Sequence, residues 1–66
     1  MELTVNGAGR SVPGGASVAD LVREMVPEQR GVAVAVNGEV VPRAAWPATV
    51  LRDGDLVEVL TAAQGG

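Results

Sequence analysis

No cysteine and no histidine occurs anywhere in this 66-residue chain. Disulfides and the usual zinc sites are therefore closed to it. That matters because a core this small rarely yields more than about 3–5 kcal/mol of net stability, and small domains commonly add a cross-link or a metal. The chain has to hold itself together by burying aliphatic groups. It has the means: hydrophobic residues make up 47% of it, valine foremost, and Trp46 is its one aromatic residue. Each Val or Leu fully buried contributes about 1.5–3 kcal/mol before conformational entropy opposes it. A dozen such residues suffice for one compact domain with little margin.

The apolar residues are arranged with two periods. In "ELTVN", Leu3 and Val5 alternate with Glu2 and Thr4, the pattern of a half-buried strand. The "NGAG" that follows tolerates positive φ, so residues 2–6 and 10–12 are predicted to form a hairpin. "PGGAS" breaks the chain. Ser17, with Asp20 three positions on, resembles a capping box with Asp in place of Glu. Val18, Leu21, Val22 and Met25 then fall at helical spacing on one stripe, and Pro27 stops the helix at about Val26. Val32, Val34 and Val36 alternate with Ala33 and Ala35 and lead into Asn37-Gly38, a two-residue hairpin signal that turns Glu39–Val41 back as a short strand ended by Pro42. "RAAWPATVLRDGD" is irregular, with Trp46 expected as a lid over one end of the core. "LVEVL" is the last strand. A single helix on one face of a mixed sheet is the simplest way to bury both kinds of stripe, an α+β domain.

This reading places Leu3, Val5, Leu21, Met25, Val34, Val57 and Val59 in one core under the helix. Leu56 and Leu60 fall on the opposite sheet face with Ala33 and Ala35. An exposed apolar patch of that kind points to a binding surface.

Several chemistries find no support. "GRSVPGGAS" spaces Gly9 and Gly14 like the start of a P-loop, but Gly15 occupies the lysine position, and Val12 breaks the dinucleotide fingerprint. Asp53, Asp55 and Glu58 lack the further ligands of a calcium loop, and "DGD" reads as a turn. With no His, Cys, Lys or Tyr the usual nucleophiles, Schiff-base amines and neutral-pH bases are missing. A chain this short is not expected to enclose a substrate pocket of about 300 Å³ or more. A net charge of −3 with five Arg and no Lys argues against nucleic-acid binding. "MELTV" lacks a signal peptide's basic start, and no apolar run is long enough to span a bilayer, so the expected location is the cytoplasm.

The remaining feature is the end, "TAAQGG". A terminal Gly-Gly can be an ordinary frayed terminus. It gains a chemical meaning if the carboxylate reacts. Converted to a mixed anhydride with AMP, that carboxylate acquires a good leaving group. Two residues without a Cβ can enter the narrow channel of an activating enzyme.

"VNGEVVPR", a Trp three residues on, and "LRDGDLVEVLTAAQGG" together resemble the bacterial sulfur carriers of thiamine biosynthesis. The resemblance is strongest from Val36 to Gly66 and extends to "ASVADLV" and the overall length. It implies a ubiquitin-like β-grasp fold of four to five strands, with the last strand central and parallel to the first. Residues 1–60 would form the domain and 61–66 a mobile tail. It also implies that an adenylyltransferase of the ubiquitin-activating type uses ATP and magnesium on the Gly66 carboxylate, the carrier itself binding no cofactor. Sulfur from a cysteine desulfurase persulfide would displace AMP to leave a thiocarboxylate, which thiazole synthase would consume. Gly66 would be the modified residue, with Ala63, Gln64 and Gly65 as its approach, and Leu56 and Leu60 on the partner-binding face. The chain would be a protein cosubstrate and not an enzyme. The alternatives are the small subunit of molybdopterin synthase, a conjugated protein modifier, and a plain interaction domain.

Overall fold

A computed structural model describes residues 1–28 and 30–61. Its elements are β1 (Glu2–Val5), β2 (Ala8–Ser11), α1 (Val18–Met25), β3 (Val32–Val36), β4 (Glu39–Val41), a 3-10 turn (Arg43–Ala48) and β5 (Leu56–Thr61).

Both hairpins close on an Asn-Gly pair with positive φ at each residue: 52° and 83° at Asn6-Gly7, 51° and 85° at Asn37-Gly38. This is the primed turn whose twist matches that of the flanking strands. The first hairpin is therefore tighter than expected. Its return strand starts at Ala8, not Arg10, because Asn6-Gly7 completes the turn and sets Val5 opposite Ala8.

Helix α1 begins with a complete capping box. The Asp20 amide donates to Ser17 Oγ at 3.1 Å, and the Ser17 amide donates to Asp20 Oδ2 at 3.0 Å. The bond from the Ser17 amide first, and the Ser17 side chain second, hold the Asp20 carboxyl below its ordinary pKa. At the other end Val26 has extended dihedrals, as the residue before Pro27 prefers.

The strands form one sheet in the order β2-β1-β5-β3-β4. β1 and β5 are parallel and the other neighbours antiparallel. This is the β-grasp arrangement the resemblance implies, with β5 in the centre. β5 runs one residue beyond the expected strand, to Thr61, which sits opposite Val32.

Leu3, Val5, Val34, Val57 and Val59 from the sheet and Val18, Leu21 and Val22 from α1 are buried together. Met25, expected among them, is only half-buried at the rim, in the last turn of the helix. Val12, Trp46 and Leu51 complete the core. Trp46 is thus a core member and not a lid, 3% exposed, and its indole N–H donates to the Val41 carbonyl at 2.9 Å. A buried indole needs such a partner. Leu51 is drawn inward because its segment pairs with the approach to α1: its amide donates to the Ala16 carbonyl, and the Val18 amide to the Thr49 carbonyl, each at 2.9 Å. Among the described residues no helix is long and apolar enough to cross a membrane.

Candidate functional site

The alternation along β5 sends Val57 and Val59 into the core and leaves Leu56 and Leu60 on the opposite face, 57% and 64% exposed. Both leucines stand where the sequence placed them. The register explains their exposure. Leu60 lies opposite Ala33, and Ala35 lies opposite Glu58. The methyl groups of the alanines are too short to shield the leucines. Ala33 is exposed and Ala35 half-buried.

Val40 extends this face and was missed. It is 76% exposed and opposite Ala35. The signal was present, because a two-residue Asn37-Gly38 turn sets Val36 against Glu39 and therefore Ala35 against Val40. Thr4, opposite Leu56, and the exposed Glu58 add polar groups to the same face.

The strand that carries these leucines also leads towards the terminus. β3 pairs along β5 as far as Thr61, whereas β1 pairs only with Leu56 and Val57. Side-chain amides supplement this pairing at two points. Asn37 Oδ1 accepts from the Leu56 amide at 3.0 Å, and its Nδ2 donates to Asp55 Oδ1 at 3.0 Å. Asn6 Oδ1 accepts from the Val59 amide at 2.8 Å, and its Nδ2 donates to the Val59 carbonyl at 3.1 Å. The sequence marked both residues as turn formers and carried no sign of these long-range bonds. Ala63, Gln64, Gly65 and Gly66 lie outside the described residues. Five residues separate Thr61 from the end of the chain, a stretch that covers at most about 18 Å.

Of the carboxylates considered for metal binding, Asp53 and Asp55 are used in the turn before β5, and Glu58 stands exposed within that strand. Asp53 Oδ1 accepts from the Glu2 amide at 2.7 Å, and Asp55 Oδ2 accepts from the Arg52 amide at 2.8 Å. Among the described residues no cluster of His, Cys, Asp or Glu is grouped to hold a metal ion. Gly9 lies in β2 and Gly14 in the turn after it, so the two glycines do not share one phosphate-cradling loop. Two hollows, of about 650 Å³ beside Met25 and Thr61 and about 360 Å³ beside Val40 and Pro42, open to solvent.

Comparison with known proteins gives a consistent picture. The family model that matches is the ThiS family, over residues 3–66. The sulfur carrier protein ThiS of Escherichia coli K12 is 29% identical over 66 residues, covering all of both chains. A thiazole synthase of Paramagnetospirillum magneticum is 33% identical over the whole of this chain, which spans 20% of that longer protein. The crystal structure of the thiamine biosynthesis protein ThiS from Geobacter metallireducens is 40% identical, superposes with a TM-score of 0.84, and is covered in full. With nearly every residue inside the family match and the same fold in a solved relative, the chain belongs to the ThiS family of sulfur carrier proteins.

Proposed function

We propose that this protein carries sulfur for thiamine biosynthesis on the carboxylate of Gly66. The observation that carries the reading is a family correspondence that reaches residue 66 and an end-to-end match with a sulfur carrier of the same span. In this reading the carboxylate attacks the α-phosphate of ATP held with magnesium by an adenylyltransferase of the ubiquitin-activating type, and pyrophosphate leaves. The outer sulfur of a cysteine desulfurase persulfide then displaces AMP to form an acyl disulfide, and a thiol cleaves the S–S bond, releasing the thiocarboxylate and forming a disulfide with the donor cysteine. Thiazole synthase takes that sulfur; the occurrence of a stretch like this chain within a thiazole synthase supports that partner. The carrier contributes no catalytic side chain and binds no cofactor itself, and the exchange takes place in the cytoplasm.

The parts have separate tasks. Gly65 and Gly66 supply a backbone without Cβ atoms that a narrow channel admits. Leu56 and Leu60, joined by Val40, supply an apolar face for the activating partner, while the core on the other side keeps β5 in place.

Intact-mass measurement tests the reading. Incubation with the activating enzyme, ATP, magnesium and a sulfur source is expected to replace one oxygen by sulfur. Deleting Gly66, or adding one residue after it, is expected to leave the melting curve unchanged and abolish the exchange. Activation of either variant at the wild-type rate would sink the proposal.

A further inference from the structure

We infer that Asn6 is a positioning residue for the reacting terminus, an inference that rests on the activation reading above. β1 stops at Val5, and the last main-chain bond from its side of the sheet runs from the Asn6 amide to the Val57 carbonyl, at 2.9 Å. The backbone then leaves the sheet, because Asn6 enters the positive-φ turn at 52°. β5 continues for four more residues, to Thr61. On the side that β1 has vacated, the amide and carbonyl of Val59 would be left as an open edge. The Asn6 carboxamide offers one donor and one acceptor in a plane, as a peptide group does, and it satisfies both, at 2.8 and 3.1 Å. It acts as one further residue of β1 without any main chain behind it.

The position of this bond pair gives it consequence. Val59 carries this bond pair two residues before the end of β5 at Thr61, and six residues lie between it and Gly66. Two-sided hydrogen bonding there sets the direction in which β5 delivers the chain beyond it. Misplacement of a reacting group by about 1 Å can cost on the order of a hundredfold in rate. An edge held only by β3 would also twist and open more readily. Leu56 and Leu60 remain on their face whether or not the carboxamide is present, so docking and delivery separate. Loss of the carboxamide should lower kcat for activation and leave KM nearly unchanged.

Asn37 supplies an internal control. Its carboxamide grips the start of the same strand, at Leu56 and Asp55, far from the exit. The substitutions Asn6→Gly and Asn37→Gly each keep the positive-φ turn and remove one carboxamide. The experiment measures pyrophosphate exchange with the activating enzyme at a temperature where all three proteins are folded, together with amide hydrogen exchange at Val59. The expected result is faster exchange at Val59 in Asn6→Gly, a kcat lowered about three- to tenfold, and KM within about twofold. Asn37→Gly should keep kcat within about twofold of wild type. Equal losses in the two variants, an unchanged kcat in Asn6→Gly, or unaltered protection at Val59 would each overturn the assignment. A wild-type protein that supports no pyrophosphate exchange would instead refute the activation reading, and the positioning role with it.

Discussion

Val57 and Val59 on one face of β5 are 1% and 5% exposed, while Leu56 and Leu60 on the other are 57% and 64% exposed. Both pairs are aliphatic, and they sit on consecutive residues of one strand. What separates them is what lies opposite. The valines face Val18, Leu21 and Val22 of α1, and the core is closed around them by Trp46 and Leu51. The leucines face outward beside alanines, and among the described residues no helix is packed on that side. A half-covered sheet normally alternates apolar and polar groups. The exposed leucines on the uncovered face of the central strand depart from that alternation, and they form the surface proposed above for the activating enzyme. On the proposed function, stability and recognition stand back to back on one strand.

The largest effect expected from testing that division is on the covered face. Leu21→Ala should cost about 2–5 kcal/mol, a large part of the stability of a domain this size, read from urea or thermal unfolding. A melting temperature within a degree or two of wild type would show that the helix does not seal the core. The bare face should respond in the opposite way. Leu60→Glu should leave unfolding free energy within about 0.5 kcal/mol and weaken the complex with the activating enzyme about tenfold or more. Unchanged affinity in a titration would move the contact off this face.

The smallest effect sharpens the account of the covered side. Asp20 accepts from the Ser17 amide, and its folded pKa is depressed. A depressed carboxyl contributes stability above its unfolded value of about 3.9 and loses it as pH falls through the folded value. Asp20→Asn should therefore lie slightly below wild type at neutral pH and converge with it in acid. A gap between the two melting curves that stayed constant from neutral pH to strong acid would refute a role for that ionisation.

Much of this was legible in the residues. The two-residue period of "ELTV" and "VAVAV", the helical stripe from Val18 to Met25, the capping box and the Asn37-Gly38 turn each describe neighbours within a few positions. Such signals depend on local backbone geometry, and the structure follows them closely. The return strand of the first hairpin starts at Ala8, two residues before the expected Arg10, because "NGAG" offers more than one turn, and only pairing with β1 selects among them. Trp46 and Leu51 were read as lid and loop because a 3-10 turn has no strong apolar period. Their burial comes from pairing between Thr49–Leu51 and Ala16–Val18, segments more than thirty residues apart. Val40 was missed although its position followed from the hairpin register. Ala63 to Gly66 carried the clearest chemical signal in the sequence and lie outside the described structure.

By itself, then, the sequence determined which residues alternate, where the chain turns, how the helix starts and stops, and that Leu56 and Leu60 share a face distinct from Val57 and Val59. Periodicity determines these because each follows from the fixed repeat of a strand or helix. The central place of β5 beside a parallel β1 came from the family resemblance, since no local pattern names a partner strand, and its other neighbour, β3, came from the structure. Tertiary structure alone decided that Trp46 and Leu51 close the core and that the Asn6 carboxamide takes up Val59, 53 residues away. Main-chain hydrogen-bonding groups are the same on every residue but proline. Which of them meet is decided only when the sheet assembles and burial makes an unpaired amide or carbonyl costly.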